Sequence, residues 1–293
     1  MYYTLLSPKV DFVFKKIFGN EQHPEILISF LNAVIQSDDP IKSVEIKNTD
    51  IEKEYLNAKF SRLDIRALTN RDEQINIEIQ VRDEYNMIKR SLYYWSKMYD
   101  SQLEKRGKYE SLKRTICINV LDFSFLSDDK FHSVYRLKDI KTNEELTDVM
   151  EIHFIELPKA KNTDTDNNNI LQAWVNFINN PGQTEIKNQE MQDAMNELVR
   201  LSSNKDERFL YEKRLESIIE LNSSMDSGFK RGIEQGIEQG IKRGKIETSL
   251  QIAKNLLKAG TDIETICSAT KLTREEIEQL KEHKSSVNKM NLF

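Results

Sequence analysis

The sequence predicts an α/β fold: a mixed β-sheet flanked by helices and followed by an all-helical C-terminal region. Residues 1–157 interleave helical stretches with strand-like ones, and two of these strands form a predicted hairpin. After Pro158 the chain becomes polar and asparagine-rich, then helical to its end. The length of 293 residues suits one domain of catalytic size plus a smaller appendage.

Two helices are predicted near the N-terminus. Ser7 and Pro8 predict the start of the first, because serine is a good N-cap and proline suits the first helical position. Asp11 and Lys15 lie four residues apart on one side, which predicts a surface ion pair. A second helix is predicted over 24–34. The apolar stripe of the first helix consists of Val10, Phe14, Ile17 and Phe18.

The predicted hairpin joins residues 63–68 to residues 74–81. The second segment alternates strictly between apolar and polar residues, as a strand does, and the residues between the two segments favour a turn. With the turn centred near Arg71, residues whose numbers add up to 142 face each other. Asp64 then faces Glu78, and Gln80 lies on the same face.

Two facing carboxylates lie roughly 5 Å apart across a strand pair, where like charges are destabilising. They require a cation or a raised pKa, and a divalent metal with oxygen ligands is the economical solution. The alternative is an ordinary polar face with solvent-exposed acids.

The rest of the first 157 residues predicts a passage of strand over 41–54, a long helix over 83–106 and strands over 115–121 and 151–157. The strand 115–121 is nearly all apolar, as expected of a strand buried on both faces. On the long helix we expect Met87, Tyr94 and Met98 to face inward and Lys89, Arg90 and Lys97 to face outward.

The C-terminal region predicts helices over about 170–179, 185–201 and 206–221, then a repeat with glycine at every fourth residue from Gly228 to Gly244. Each glycine costs about 1 kcal/mol inside a helix, so the repeat suggests close approach to another helix. A flexible linker is the alternative. Residues 248–280 predict a small helix-turn-helix-like unit, although its last helix is acid-rich, so a packing unit is an equal alternative to a DNA reader.

We therefore divide the chain into a core (1–157), a helical extension (158–227), a glycine-repeat helix or linker (228–247) and a small helical unit (248–293). A net charge of −5 means that any nucleic-acid binding requires a local basic patch or a bridging metal. The two cysteines are far apart, and the sequence shows neither a membrane span nor a signal pattern, so we expect a cytoplasmic protein.

Several motifs together resemble the Rpn family of recombination-promoting nucleases, also described as transposases of the PD-(D/E)XK superfamily. They are the opening Ser-Pro-Lys-x-Asp-x-x-Phe-Lys-x-x-Phe-Gly over 7–19, Leu63-Asp64-Ile65, Ile77-Glu78-Ile79-Gln80, Tyr93-Tyr94-Trp95 and the glycine-glutamate repeat. The resemblance implies a restriction-endonuclease-like fold and a metal-dependent DNA endonuclease acting in recombination or in defence against phages and mobile elements.

The resemblance also implies the site. Asp64, Glu78 and the backbone carbonyl of Ile79 would hold Mg²⁺ or another divalent cation such as Mn²⁺, and Gln80 stands where lysine is usual. Asp11 matches an acid that can approach the metal. Lys15 and Arg66 are the candidate contacts to phosphate and DNA.

Glutamine at position 80 cannot titrate, so Gln80 can orient a water molecule but cannot serve as a base. Either the metal activates the water unaided, or a cation such as Lys15 or Arg66 takes the place of the usual lysine.

The main alternative function is a catalytically silent DNA-binding or assembly protein built on a nuclease fold. A true transposase ranks last, because that class usually uses an RNase H-like acid triad. We also expect a homo-oligomer, with a dimer favoured, formed through the C-terminal helices.

Overall fold

The computed structural model describes residues 4–47, 65–103, 107–160 and 169–280. The chain divides into two compact units, with the boundary between Ser217 and Ile218. No helix in the described ranges is long and apolar enough to cross a membrane.

The first unit contains a six-stranded sheet. Its strands are β1 (Val44–Lys47), β2 (Ile65–Thr69), β3 (Gln74–Gln80), β4 (Thr115–Leu121), β5 (His132–Lys138) and β6 (Glu145–Glu156). The helices of the chain are α1 (Asp11–Phe18), α2 (Pro24–Ile35), α3 (Met87–Asp100), α4 (Ile170–Asn179), α5 (Gln189–Ser203), α6 (Lys205–Lys258) and α7 (Ile263–Thr270).

The sheet is mixed, as predicted, with the strand order β1-β2-β3-β4-β6-β5. The central strands β3, β4 and β6 run parallel, whereas β1, β2 and β5 pair antiparallel with their neighbours. Every residue of β4 is buried, which agrees with the nearly continuous apolar sequence of that strand.

Helices cover both faces of the sheet. α3 packs on β3 and β4, and it buries Met87 and Met98 against Cys117, Ile152 and Phe154 of the sheet. On the opposite face, α1 packs against β3 and α2 against β1, with α4 and α5 outside them. The core of that outer group is aromatic and consists of Phe14, Phe18, Phe30, Trp174 and Phe177.

The β2–β3 hairpin has the predicted register. Ile65 pairs with Ile77 and Ala67 with Ile75, so the numbers of paired residues add up to 142. Asp72 takes a left-handed backbone conformation in the turn, with φ of 61°. The turn chemistry and the alternating pattern therefore determine this pairing, because a shift by one residue would exchange the two faces of the strand.

Some predicted boundaries were wrong. α1 begins at Asp11 rather than at Pro8, because residues 7–10 form a separate turn in which the Val10 N–H donates to the Ser7 carbonyl at 3.2 Å. α3 begins at Met87 rather than at Asp83, because the left-handed backbone of Tyr85, with φ of 58°, interrupts the helix. The strand β5 was not predicted, since most of it is an exposed edge without alternation.

The glycine repeat is helical and belongs to the 54-residue helix α6. Apart from the neighbouring residues and backbone of its own helix, a Cβ built on each of its glycines, from Gly228 to Gly244, meets no atom of the described residues within 4 Å. The close helix approach that the repeat predicts is therefore not made inside the described part of the chain. The second unit has its own small core of Ala253, Ile266 and Ile277, which come from α6, α7 and a further helical stretch at 274–280.

Candidate active site

Glu78 lies near the C-terminal end of β3, in the middle of the sheet, and only 1 % of its surface is exposed. Strand periodicity places Asn76 and Gln80 on the same face, which α3 covers. Asn119 of β4 is the register partner of Glu78, and its side chain contacts Ser91 of α3. The alternative of a solvent-exposed acid therefore does not apply to Glu78.

Arg90 of α3 supplies a counter-charge for this carboxylate. Its Nε donates to Glu78 Oε2 at 3.1 Å, and its guanidinium lies 5.5 Å from the ring centre of Tyr94. We expected Arg90 to face outward, and that prediction was wrong, because its long side chain folds back to the sheet and remains only 15 % exposed. An isolated charge at the depth of Glu78 would be costly, so the pairing lets the carboxylate remain buried.

A second group of polar residues lies where β3 and β4 end. The Asp122 N–H donates to the Gln80 carbonyl at 2.8 Å, and Lys9 Nζ donates to Asp122 Oδ1 at 2.7 Å. Lys9 and Asp122 were not among the predicted site residues. The available signals were the position of Lys9 inside the opening motif and of Asp122 directly after a buried strand.

Asp11 is held by the C-terminal part of the first unit. Both of its carboxylate oxygens accept hydrogen bonds from Arg214 of α6, whose Nε lies 2.9 Å from Oδ1 and 3.1 Å from Oδ2. Asp11 thus has an ion-pair partner 203 positions away in the sequence. Lys15 is half-buried on the same helix.

Arg66 extends toward the turn end of the hairpin. Its Nη2 donates to Gln74 Oε1 at 3.1 Å and to Ser101 Oγ at 3.3 Å, and burial lowers the pKa of its guanidinium. Gln74 and Gln80 stand at opposite ends of β3, roughly 20 Å apart along the strand. The structure therefore does not bring the guanidinium of Arg66 to Gln80.

Asp64 lies outside the described residues. The register rule, applied to Glu78, leads to position 64, so the facing of Asp64 and Glu78 stays a prediction. Within the described ranges, no group of three His, Cys, Asp or Glu side chains could hold a metal ion. The donors that are described, the Glu78 carboxylate, the Ile79 carbonyl and the Gln80 amide, are all oxygens, which is the chemistry that Mg²⁺ prefers.

Another buried charge cluster lies at the β5 edge of the sheet. Glu151 of β6 is fully buried and binds Arg114 Nη2 at 2.7 Å, His153 Nε2 at 2.8 Å and Arg136 Nε. His153 Nδ1 lies 2.9 Å from His132 Nε2 on β5. The cluster therefore ties the exposed edge strand to the buried strand β6.

Two titrating groups of this cluster are strongly perturbed. Burial alone raises the pKa of Glu151, but hydrogen bonds and charges from His153 and Arg114 outweigh it and lower the pKa to about 2. Burial, reinforced by His153 and opposed by Glu151, lowers the pKa of His132 to about 4.

Two family comparisons match the chain. Residues 8–228 match the PD-(D/E)XK nuclease family transposase, and residues 247–282 match the C-terminal HTH domain of the Rpn/YhgA-like nuclease family. Comparison with curated proteins and with solved structures finds no match.

Replacing Arg90 by methionine should destabilise the protein by about 3 kcal/mol, because it leaves the carboxylate of Glu78 buried without this counter-charge. Denaturant unfolding followed by tryptophan fluorescence measures the loss. Arg90→Lys should recover part of it, and Lys89→Met, at an exposed position of the same helix, should change stability by less than about 0.5 kcal/mol. Equal stability of Arg90→Met and the wild type would contradict the assigned contact.

The pH dependence of stability should reflect His132. Its pKa rises from about 4 in the folded state to 6.5 in the unfolded chain, so the unfolded state binds more protons between these values and stability falls as pH falls. Glu151 extends the loss from pH 4.5 downward to about 2, since its folded pKa is the lower one.

Urea midpoints across pH 4 to 6.5 measure the contribution of His132. His132→Gln removes the titrating group and should flatten the dependence. Parallel profiles for His132→Gln and the wild type would argue against the perturbed histidine.

Proposed function

Because the chain belongs to the PD-(D/E)XK nuclease family transposases, with a C-terminal HTH domain of the Rpn/YhgA-like nuclease family, we propose that it is a metal-dependent DNA endonuclease. The proposed reaction is hydrolysis of phosphodiester bonds at the C-terminal end of β3. Recombination, or defence against phages and mobile elements, is the proposed setting, in the cytoplasm.

The observation that carries the proposal is the position of Glu78. A carboxylate with 1 % exposure in the centre of a sheet requires a compensating charge, and one is supplied by Arg90. A buried ion pair of this kind stabilises a fold no more than well-packed apolar residues at the same positions would. A role in catalysis at this end of the sheet explains why a buried carboxylate stands near Gln80 at the end of the strand.

Each residue has a proposed role. Asp64 and Glu78 hold the metal, together with the carbonyl of Ile79, and Arg90 fixes the orientation of the Glu78 carboxylate. A bound Mg²⁺ or Mn²⁺ would neutralise the scissile phosphate and lower the pKa of the attacking water. Gln80 orients that water by hydrogen bonds, since its amide can donate and accept but cannot titrate.

Among the cations considered for the place of the usual lysine, Lys15 is favoured over Arg66. The guanidinium of Arg66 is bound to Gln74 and Ser101 at the other end of β3. Lys15 lies on α1, which begins two residues after Lys9, and Lys9 reaches Asp122, whose N–H bonds to the Gln80 carbonyl at the C-terminal end of β3. Asp11, on the same helix, is the proposed further acid of the site and is bound to Arg214.

A catalytically silent DNA-binding or assembly protein is the second candidate. It is favoured by the arginine pairing of two proposed site acids, Glu78 with Arg90 and Asp11 with Arg214. This candidate keeps the DNA-binding HTH domain and predicts retention of DNA without cleavage.

Substitution of the site acids tests the nuclease. Asp64→Ala and Glu78→Gln should each lower the rate of plasmid nicking by at least about a hundredfold, as should EDTA, because each removes a metal ligand or the metal itself. DNA retention in a mobility-shift assay should persist. Glu144→Gln, an exposed glutamate in the loop between β5 and β6, is the matched control and should cleave normally.

Undiminished nicking by pure Asp64→Ala and Glu78→Gln proteins would contradict the site. DNA retention without any metal-dependent nicking by the wild type would favour the silent protein instead.

We further propose that the glycine repeat of α6 mediates homo-oligomerisation, with a dimer favoured. The isoleucines beside the glycines, Ile233, Ile237 and Ile241, are 46 %, 58 % and 55 % exposed in the single chain. A helix with five interior glycines and exposed isoleucines gains stability when a second helix covers it.

Sedimentation of the protein with and without residues 228–293 measures this role, and deletion should convert a dimer into a monomer. Gly236→Leu, which blocks close approach, should weaken the dimer, whereas Gln235→Leu at the neighbouring position should weaken it less. An unchanged oligomeric state after deletion would count against the proposal.

A further inference from the structure

The outer surface of α3 carries alternating lysine and tyrosine residues. Lys89, Tyr93 and Lys97 follow one another at intervals of four residues, so they line one side of the helix, and all three are exposed. We name these three residues the α3 ridge. Tyr85, directly before the helix, is 86 % exposed.

The tyrosines of the segment Tyr93-Tyr94 are divided between two environments. Tyr94 is buried and lies under Arg90, whereas Tyr93 is 39 % exposed. Lys97 Nζ lies 5.9 Å from the ring centre of Tyr93, which is within the range of a cation–π contact. The ridge therefore combines a partly exposed tyrosine ring with a cation that lies over that ring.

The local charge of α3 opposes that of the whole chain. The helix contains three basic residues and one acid, Asp100, whereas the chain carries a net charge of −5. Asp83 and Glu84 lie in the segment before the helix, and Glu84 approaches Arg90 Nη1 at 3.8 Å. The positive charge of the ridge itself comes from Lys89 and Lys97.

The ridge lies on the same helix as Arg90, which contacts the proposed active site. Arg90, which follows Lys89 directly, bonds to Glu78 at 3.1 Å. Along the helix axis, Tyr93 is about 6 Å from each lysine, since an α-helix rises 1.5 Å per residue. A nucleic-acid strand on this surface could place a base on Tyr93 and phosphates near the two lysines.

We propose that the α3 ridge binds an unpaired stretch of the DNA substrate by stacking a base on Tyr93. Stacking on a side chain requires a base outside the double helix, so the ridge selects single-stranded DNA or DNA with an unpaired segment over a continuous duplex. This inference rests on the proposed function, because it names the substrate class of that same site.

The test measures binding of the full-length protein in EDTA by fluorescence anisotropy, with an oligothymidine strand and a duplex of equal length. Tyr93→Leu should weaken strand binding roughly tenfold and leave duplex binding within about twofold. Tyr93→Trp, which keeps a stacking surface, should retain binding. Tyr135→Leu, at an exposed tyrosine of β5, is the matched control and should bind as the wild type.

The lysines are tested by salt dependence. Lys97→Gln should lower the slope of log affinity against log salt by roughly 0.7 for the strand, as expected for one lost phosphate contact. Lys141→Gln, an exposed lysine between β5 and β6, should leave the slope unchanged.

Equal strand affinity of Tyr93→Leu and the wild type would overturn the proposal. The proposal would also fail if Tyr135→Leu weakened strand binding as much as Tyr93→Leu does, or if Tyr93→Leu weakened duplex binding as much as strand binding. Because EDTA excludes cleavage from the measurement, this result is separate from the nuclease assay. A wild type that never nicks DNA but loses strand binding with Tyr93→Leu would refute the nuclease and support the ridge.

Discussion

The bond between Arg90 and Glu78 is the interaction on which the rest of the site depends. It joins α3 to the central strand β3 and places a largely buried charged pair between the helix and the sheet. Breaking such a pair costs more than forming it gains, because the remaining charge cannot reach water. The geometry of α3 over the sheet and the charge state of the site are therefore coupled: a change that moves the helix also exposes or isolates the carboxylate.

Side chains that are distant in the sequence converge around the end of β3. Lys9 reaches Asp122 at the end of β4, which is bonded through its backbone to Gln80. Asp11 is held by Arg214, which belongs to the long helix α6. The parallel arrangement of β3 and β4 explains the convergence at the strand ends, since the carboxyl ends of parallel strands meet at one edge of a sheet. Exposed ion pairs such as that of Asp11 with Arg214 add little to the stability of the fold. The consequence of this pair is that it fixes the position of the Asp11 carboxylate.

The two units of the chain obtain their stability in different ways. The first buries a sheet between helices and an aromatic group around Phe18 and Trp174. The second relies on a small apolar core that includes Ala253 and Ile266. The glycine repeat lies between these cores in the sequence, and its helical conformation is costly because glycine loses more conformational entropy than other residues. Its isoleucines are exposed, and these two features are the physical basis of the proposed pairing with a second chain.

The sequence by itself determined the mixed α/β fold, the β2–β3 register and the family. Strand alternation and a polar turn are local signals, and the rule that paired numbers add up to 142 follows from them. Position 64 lies outside the described residues, so the pairing of Asp64 with Glu78 remains a prediction of that rule. Only the tertiary structure decided that Arg90 turns inward, that Asp11 binds Arg214 and that Arg66 extends away from Gln80. The reason is physical: the direction of a long charged side chain depends on which opposite charge the fold brings within reach, and no local pattern contains that information.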